Sequence, residues 1–416
     1  MTPGPVEAGP HAAILPPVLR GMPETVIIGG GLHGISTALG LAARGRRSVI
    51  LEAGSGPLTR ASIRNEGKIH LGFVYALDET GLTTRAMVEG SLAFAPLIER
   101  WCGPVDWPGI RSDQFGYVAM TQGLAEPDQL ESHYEEVLAQ MRAAAPGFGT
   151  NYLGVDTDEV AVIRHDQVFP GMAEGHSGCW FETPERAVNP LLLAGLVERA
   201  AAGEPKVSLL ARHRVVGAAR TGNGFRLEVE TPSGKQTVET ETVVNCAWEG
   251  RPTLDRMILE EPVAGNFRVK YQVVVRSEGT GQIKAATLVQ GPFGDVVPWP
   301  GGEIFINWYP VARTHFGDQP LERLEPDSGV AARVHEAIRE LFPAFGDSRV
   351  VRYAPCYILA EGRTDINDPG SRLHSRIGAE IVGRDGWWSL RSTKLTTAPL
   401  AGERCAAAIT GIGTGY

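Results

Sequence analysis

Gly29, Gly31 and Gly34 directly follow a short apolar run, and Glu52 ends the next apolar run along the chain. A strand, a tight glycine turn and a helix that begins at the turn direct backbone N–H groups and the positive end of a helix dipole toward a phosphate. A carboxylate about 20 residues further on accepts hydrogen bonds from ribose hydroxyls and repels a 2′-phosphate. Strand, turn, helix, strand and acid in one register therefore predict a dinucleotide-binding βαβ unit.

The composition is typical of a water-soluble enzyme. The chain has 416 residues, of which 43% are hydrophobic and 21% charged, so a large core divided between two domains is expected. A net charge of −9 without a long Lys/Arg run gives no electrostatic basis for binding nucleic acid. No apolar stretch approaches the roughly 18 to 20 residues of a membrane-spanning helix. Residues 1–22 lack the pattern of a signal peptide and are interpreted as a flexible leader.

The cysteines predict neither a disulfide framework nor a metal site. They are odd in number, scattered, and without a C-x-x-C pair: Cys102, Cys179, Cys246, Cys356 and Cys405. Disulfide frameworks and zinc sites need paired or closely spaced cysteines. A reducing, cytoplasmic setting is therefore the expectation, with a small molecule as the substrate and an oligomeric state that the sequence does not indicate.

Helix-like and strand-like segments alternate along the chain without an internal repeat. Amphipathic patterns predict helices at 84–101, 129–145 and 328–341, and Asn189 is a plausible N-cap for a helix with Pro190 in its first turn. Strands are predicted at 207–210, 215–219, 225–230, 237–245, 268–276, 285–290 and 303–309. The last three alternate in the manner of an antiparallel sheet with one exposed face. The fold class that follows is α/β: a Rossmann-like nucleotide-binding domain interleaved with an antiparallel-sheet α+β substrate domain.

Four later segments carry a family resemblance. They are ASIRNEGKIHLG at 61–72, AVNP at 187–190, VVNCAW at 243–248 and WWSLRSTKLTTAP at 387–399. Together with the nucleotide unit, they resemble the FAD-dependent oxidoreductases of the D-amino-acid oxidase and glycine/sarcosine oxidase superfamily, over nearly the whole chain. The segment 61–72 is most similar to the 2-hydroxyglutarate oxidoreductases. The chain departs from the family pattern at Trp248, where glycine is usual, and in the last segment, which lacks the family's glycines.

The resemblance implies FAD as the cofactor and a discontinuous FAD-binding domain. Its expected parts are 23–83, 155–255 and 350–416, with 84–154 and 256–349 forming the substrate domain. The expected cofactor contacts come from the turn, the ribose-binding acid, the second flavin loop, two central strands and the C-terminal return: Gly29, Gly31, Leu32, His33, Gly34, Glu52, Ala53, Ser62, Arg64, Asn65, Gly67, His70, Val216, Cys246, Ala247, Lys394, Leu395 and Thr396. Cys356 falls roughly where sarcosine-oxidase-like members bond a cysteine to the flavin, so a covalent link is an alternative to non-covalent FAD.

Three side chains are candidates for the catalytic groups. His70 could orient a substrate or accept a proton, because its unperturbed pKa is near neutrality, although a histidine between aliphatic residues is often structural. Lys394, ahead of a helix expected to begin near Thr396, could place positive charge at the flavin edge that becomes anionic, or be an ordinary surface lysine. Arg313 could bind a carboxylate as a fork, with Arg268 and Lys270 as further cations.

The expected pocket wall is aromatic. Residues 292–299 and then Phe305, Asn307, Trp308 and Tyr309 could line a substrate pocket, or equally belong to a core.

We therefore predict hydride transfer to FAD from a carbon that bears an amine, in a small amine or amino acid. The alternative is a carbon that bears a hydroxyl, in a 2-hydroxy acid or a sugar alcohol. Two hypotheses of other classes are an NAD-dependent dehydrogenase and a flavin-binding protein without enzymatic activity. Oxygen and other electron acceptors are both open at this stage.

Overall fold

The computed structural model describes residue 19 and residues 22–259, 265–276, 283–376, 378 and 380–414. The predicted leader lies almost entirely outside these residues. Within them the chain forms nine α-helices: α1 Leu32–Ala43, α2 Leu82–Cys102, α3 Trp107–Ile110, α4 Pro127–Phe148, α5 Pro190–Gly203, α6 Arg251–Leu259, α7 Tyr309–Ala312, α8 Ser328–Leu341 and α9 Ala398–Thr410. In the described part of the chain, no helix is both long enough and apolar enough to cross a membrane.

The strands form two large sheets and three small ones. Their bounds are β1 Thr25–Ile28, β2 Ser48–Glu52, β3 Lys68–Ile69, β4 Phe115–Met120, β5 Asn151–Tyr152, β6 Val155–Asp156, β7 Ile163–His165, β8 Ser177–Thr183, β9 Arg186–Ala187, β10 Val207–Ala211, β11 Arg214–Thr221, β12 Gly224–Thr231, β13 Gly234–Thr240, β14 Thr242–Asn245, β15 Asn266–Arg276, β16 Ala285–Val289, β17 Gly294–Pro298, β18 Glu303–Trp308, β19 Arg313–Gly317, β20 Arg349–Ala360, β21 Ile381–Arg384 and β22 Trp387–Leu390.

The first large sheet contains the predicted nucleotide unit. Its strand order is β10-β2-β1-β14-β22-β21, and all of its neighbours are parallel except the edge strand β21. The predicted strand 237–245 is two strands, because β13 pairs with β12 in a separate three-stranded sheet whereas β14 pairs with β1. In open α/β sheets the ligand binds outside the carboxyl ends of the parallel strands. Those ends are Ile28, Glu52 and Asn245.

Alternate residues of this sheet pack against different layers. Ile27, Ile50 and Val244 belong to the core that contains helix α1 and helix α9. Their neighbours Val26, Val49 and Val243 pack instead with the three-stranded sheet β11–β13. Burial on both faces explains the continuous apolar runs of the sequence, which are typical of central parallel strands.

The second large sheet has nine strands in the order β19-β15-β18-β17-β16-β4-β8-β7, with β20 paired along β15. The prediction of an antiparallel sheet is confirmed for most neighbours, and the exception is the parallel pair β4 and β16. The expectation of one exposed face is wrong, because β15 and β16 are buried at nearly every position. Both faces are covered, one by helix α8 and the other by the core around Phe305 and Tyr117.

The sheets favour domain boundaries that differ from the expected ones at two segments. Strands β7 and β8 lie in 155–255 and strand β20 lies in 350–416, yet all three belong to the nine-stranded sheet. Pairing of β8 with β4 and of β20 with β15 is the physical reason. We therefore propose that 163–183 and 349–360 be assigned to the substrate domain.

Asp255 on α6 holds together the carboxyl-terminal end of the first sheet. This buried carboxylate accepts hydrogen bonds from Asn245 at 2.8 Å, from the Trp387 indole at 3.1 Å and from Ser389 at 2.6 Å. Arg251, one helical turn away, donates to the same carboxylate at 3.2 Å. A buried carboxylate is tolerated when it is paired and fully hydrogen-bonded, as this one is.

We predict that Asp255→Ala destabilises the protein by about 3 kcal/mol or more, because it leaves the half-buried Arg251 and three donors without their acceptor. Urea unfolding of the FAD-loaded protein measures the effect. Glu239→Ala is the control, since Glu239 pairs with Arg226 at 3.1 Å on the exposed surface and exposed pairs contribute little. Equal, small losses in both variants would contradict this role.

Candidate active site

One large cavity runs along the carboxyl ends of the parallel strands and continues onto the nine-stranded sheet. Its volume is about 1000 Å³, which is at the upper end of the range for small-molecule sites. Gly29 and Glu52 line it at one end, and Arg268, Asn307 and Tyr309 at the other. Most of the predicted cofactor residues therefore meet in one space, although they come from distant parts of the sequence.

The glycine turn requires its glycines for steric reasons. Gly29 has φ +102°, and a Cβ there would lie 2.6 Å from the carbonyl oxygen of Cys246. A Cβ on Gly34 would lie 2.0 Å from the carbonyl oxygen of Gly29. Helix α1 can therefore begin directly at the strand end, which exposes its first N–H groups to the cavity.

Glu52 closes the nucleotide end of the cavity. One of its oxygens accepts from the Gly30 N–H at 2.7 Å and the other from the Gly54 N–H at 2.6 Å. These bonds fix the carboxylate while leaving lone pairs on both oxygens for further donors. The position and chemistry of Glu52 fit the ribose hydroxyls of a dinucleotide.

The second flavin loop is braced from within. Ser62 accepts from the Leu32 N–H at 3.0 Å, which ties the loop to the start of α1. The Asn65 side chain donates to Ala61 O at 2.8 Å and accepts from Gly67 N at 2.7 Å. Arg64 reaches across the cavity rim to Pro355 O at 3.2 Å. Ser62, Arg64 and Asn65, three of the predicted cofactor contacts, all line the cavity.

His33 supplies an independent indication that a polar ligand belongs here. Its ring lines the cavity, and Nε2 is buried with no hydrogen-bond partner among the described residues. Burial, together with the charge of Arg251, lowers the pKa of His33 to about 4, so the ring is neutral. A buried polar atom without a partner is costly unless a ligand supplies one. The residues present therefore fit the predicted dinucleotide.

Some of the remaining predicted cofactor residues line the cavity, and others lie behind the residues that line it. The wall contains Leu32, Ala53, Val216, Cys246, Ala247, Lys394 and Leu395. Three predicted contacts lie behind the wall instead of in it: Gly34 against Gly29, Gly67 with φ +77° beside Val188, and Thr396, whose hydroxyl accepts from the His70 N–H at 2.7 Å. The expected helix start near Thr396 is also shifted, because α9 begins at Ala398.

Trp248 stands where the resembled family usually has glycine, and its backbone explains that preference. Its φ is +48°, in the left-handed region that glycine occupies without steric cost. The indole donates to Tyr357 O at 2.9 Å, which anchors the side chain beside strand β20.

Cys356 lines the cavity, but its thiol is poorly suited to act as a nucleophile. Burial raises the pKa of Cys356 to about 12, and Sγ donates to Tyr357 O at 3.4 Å. The thiolate is the nucleophilic form of a cysteine, and this environment disfavours it.

Strand β3 and its flanks place three titratable groups at the floor of the cavity. Side chains alternate along a strand, so Glu66, Lys68 and His70 share one face. Lys68 Nζ donates to Asp295 at 2.7 Å and also to the Thr287 hydroxyl. Burial opposes the charge on Lys68, but the surrounding carboxylates hold the pKa of Lys68 above its usual value. Burial would likewise raise the pKa of Asp295, and Lys68 lowers it to about 2.

His70 lies between a cation and a carboxylate. Its Nε2 is 3.3 Å from Lys394 Nζ, and its Nδ1 is 3.6 Å from Glu185 Oε1. Burial and the charge of Lys394 lower the pKa of His70, and Glu185 opposes them without reversing the direction. Neutral imidazole is therefore the favoured form. The backbone of this residue is fixed as well, by the Thr396 hydroxyl.

Two arginines also line the cavity. Arg268 is 3% exposed, donates to the Tyr309 hydroxyl at 3.1 Å and lies 3.9 Å from Asp365. Arg376 lines the same space, and burial together with the charge of Arg268 lowers the pKa of Arg376. In both arginines Nε is buried without a hydrogen-bond partner among the described residues. We refer to Arg268 and Arg376 as the arginine pair.

Arg313, the predicted carboxylate fork, lies elsewhere. Its Nε is 2.9 Å from Asp365, its side chain is 35% exposed, and the residues that line the cavity do not include it. The aromatic prediction is correct in part: Phe293, Phe305 and Tyr309 line the cavity with Asn307. Trp299 instead donates to Glu66 O at 3.2 Å, and Trp308 packs beside Phe293 with ring centroids 6.0 Å apart.

Four residues of this site were not singled out from the sequence: Lys68, Tyr75, Glu185 and Arg376. Lys68 had a usable signal, because it alternates with Glu66 and His70 along a strand. The other three come from separate elements that only the folded chain brings together.

Comparison with known proteins supports a flavin dinucleotide as the ligand of this cavity. The family model described as FAD dependent oxidoreductase, DAO, matches residues 24–408. Among curated proteins, none matches the sequence of this chain.

Several solved structures share the fold. Glycine oxidase from Geobacillus kaustophilus has a TM-score of 0.69 at 18% identity, covering 94% of this chain and 95% of its own. L-Amino acid deaminase from Proteus myxofaciens, solved with anthranilate, has a TM-score of 0.65 at 17% identity, with 94% and 91% covered. L-α-Glycerophosphate oxidase from Mycoplasma pneumoniae, solved with FAD bound, has a TM-score of 0.64 at 16% identity, with 94% and 95% covered.

We predict that Glu52→Ala weakens FAD binding at least about tenfold, because it removes the ribose acceptor and frees the turn that it braces. Titration of the apoprotein with FAD, followed by flavin fluorescence, gives the dissociation constant. Glu79→Ala, at an exposed position, is the matched control. An unchanged dissociation constant for Glu52→Ala would place the ribose elsewhere.

Proposed function

The chain belongs to the DAO family of FAD-dependent oxidoreductases, and we propose that it oxidises the carbon next to the amine of a small amino acid. FAD, when bound, accepts the hydride that leaves this carbon. The observation that carries the proposal is the arginine pair, two guanidinium groups that line the same cavity as His70 and whose Nε atoms have no hydrogen-bond partner among the described residues. Two of the similar structures are also named for reactions of amino acids.

The arginine pair is suited to the carboxylate of the substrate. Arg268 and Arg313 share one nearby carboxylate, Asp365, and the charge of Arg268 also acts on Arg376, so positive charge is in excess on this wall. A guanidinium binds a carboxylate through parallel N–H donors, and burial strengthens that interaction. An anionic substrate group would supply the counter-charge that this wall lacks.

His70 is suited to accept the proton of the substrate amine. Loss of a proton from the ammonium group leaves a lone pair that forms the C=N bond as the hydride leaves the carbon. The lone pair of Nε2 points to Lys394, which the substrate amine would replace as the donor. The positive charge of Lys394 beside His70 lowers the pKa of the ring, so the ring stays unprotonated before the substrate binds.

A second candidate is the oxidation of a 2-hydroxy acid, and the position of His70 favours it. A hydroxyl group is a much weaker acid than an ammonium group, so its oxidation depends more strongly on a positioned base. The carboxylate would bind the arginine pair in the same way. This candidate corresponds to the resemblance of 61–72 to the 2-hydroxyglutarate enzymes.

FAD in this proposal is bound non-covalently, because burial keeps Cys356 in its thiol form. The family match argues against the two hypotheses of other classes, an NAD-dependent dehydrogenase and a flavin-binding protein without enzymatic activity. The scattered, odd-numbered cysteines keep a reducing, cytoplasmic setting as part of the proposal.

The experiment that tests the function is anaerobic reduction of the bound flavin by matched compounds. Each carbon skeleton is offered as the 2-amino acid, the 2-hydroxy acid and the decarboxylated amine, and bleaching of the flavin is followed by absorbance. Fast bleaching by an amino acid and little by the other two supports the proposal. Faster bleaching by the hydroxy acid selects the second candidate, and bleaching only by the amine contradicts carboxylate recognition.

We predict that His70→Asn slows flavin reduction by about 100-fold or more, within the usual contribution of a general base. In the wild-type protein, the rate should fall with acidity only below pH 6.5, because the pKa of His70 is lowered and the neutral base persists there. Stopped-flow rates between pH 4.5 and 8 would measure both. An unchanged acid limb in His70→Asn would assign the titration to another group.

We predict that Arg376→Gln raises the half-saturating concentration of a carboxylate substrate by about tenfold or more, because a charge-assisted bond is lost. With the decarboxylated amine, the half-saturating concentration should be the same in this variant and in the wild type. Arg313→Gln is the control, since Arg313 is outside the cavity lining and should change the concentration much less. The opposite ranking of the two arginines would restore Arg313 as the carboxylate fork.

A further inference from the structure

Glu185 is a buried charge that takes no direct part in the proposed reaction. It follows strand β8, is 0% exposed, and has its carboxylate against the imidazole of His70 at 3.6 Å. The side chain cannot rotate freely, because Oε2 accepts from the Leu71 N–H at 2.7 Å and Oε1 accepts from the Tyr117 hydroxyl. Its own carbonyl accepts from the Phe115 N–H at 3.1 Å.

The carboxylate is held in its charged form. Burial would raise the pKa of Glu185, but contact with His70 and the nearby Lys68 and Tyr117 lowers it. The surrounding box is aromatic, with Tyr134 packed edge-on against Tyr117 at a centroid distance of 5.7 Å. A fixed anion in such a box acts strongly on the ring of His70, the titratable group of the active site that it faces.

The two nitrogens of His70 have different neighbours, and this decides where the proton of the neutral ring lies. The Lys394 ammonium has only donors, so Nε2, at 3.3 Å, must accept from it. The proton is then on Nδ1, which faces Glu185 and has no hydrogen-bond partner within bonding distance among the described residues. A shift of a few tenths of an ångström would bring Nδ1 and Oε1 within hydrogen-bond distance.

We infer that Glu185 is a positioning residue: its carboxylate selects the Nδ1–H form of His70 and so keeps the Nε2 lone pair directed at the substrate. This role rests on the proposed function, in which His70 accepts the substrate proton. The carboxylate also stabilises the imidazolium that forms once the proton arrives, as a buried carboxylate does behind other catalytic histidines.

The charged groups around His70 come from three parts of the chain. Glu66 and Lys68 lie on its own strand segment, Glu185 follows β8, and Lys394 precedes α9. Replacement of Glu185 by glutamine changes one of these charges and preserves the size of the side chain. The glutamine oxygen can still accept from Leu71, but its NH₂ group then faces His70 as a donor and favours the opposite tautomer, with the proton on Nε2.

The first test reads the tautomer and needs no substrate. Holoprotein labelled with ¹⁵N-histidine is examined by NMR at pH 8, and the His70 signals are assigned by their loss in His70→Asn. The expected result is the Nδ1–H tautomer in the wild type and the Nε2–H tautomer in Glu185→Gln. The Nε2–H tautomer in the wild type overturns the inference, and so does one unchanged tautomer in both proteins.

The second test reads the reaction, with whichever substrate reduces the flavin. Glu185→Gln should slow flavin reduction by at least about tenfold and move the acid limb of the pH profile to lower pH, because an anion beside the ring is gone. Tyr134→Phe is the matched control: its hydroxyl lies in the same aromatic box but has no hydrogen-bond partner among the described residues. An equal loss of rate in both variants, with an unmoved acid limb, reduces Glu185 to a packing role.

The two tests separate the inference from the proposed function. If no compound in the matched panel reduces the flavin, the proposed function fails while the tautomer of His70 still decides the role of Glu185. If Glu185→Gln does not fold, the wild-type spectrum decides through the Nδ1–H proton. A resonance shifted far downfield, as a hydrogen bond to a carboxylate produces, supports the inference, and an unshifted Nδ1–H or the Nε2–H tautomer overturns it.

Discussion

The buried charges at the floor of the cavity must balance one another, and much of the site follows from this constraint. Three lysines and three carboxylates meet there around His70: Lys68, Lys270, Lys394, Glu66, Glu185 and Asp295. A buried charge without a partner costs several kcal/mol, so each of these groups holds the others in place. The formal sum is zero when His70 is neutral, which is the form that burial and Lys394 favour.

These charged side chains come from several elements of the fold, because a single strand or helix could not place all of them around one histidine. Strand β3 contributes one face, while Asp295 comes from the nine-stranded sheet and Lys394 from the segment before α9. The Thr396 hydroxyl and the Tyr152 hydroxyl fix the backbone of β3, at 2.7 Å from His70 N and 2.6 Å from Ile69 O. The catalytic candidate therefore has little freedom of its own, and its position is determined by the packing of both large sheets.

The sequence contains a local pattern for the nucleotide end of the cavity but none for most of the substrate end, for a physical reason. Contacts of the turn and of Glu52 are local to one βαβ unit, whose spacing is set by strand and helix geometry. The substrate end depends on contacts between distant segments, such as Lys68 with Asp295, which leave no pattern in the sequence. The same difference explains why Arg313 was a candidate and Arg376 was not, since both are single arginines until the fold places one of them in the cavity.

The central claim is that the arginine pair recognises an anionic group beside the flavin, and a spectral titration tests it before any substrate is known. Holoprotein is titrated with simple monocarboxylates and, as a matched series, with their primary amides. The account predicts a saturable change in the visible flavin bands with the carboxylates, a much weaker one with the amides, and loss of the carboxylate effect in Arg376→Gln. Equal responses to both series, or none to either, would contradict it.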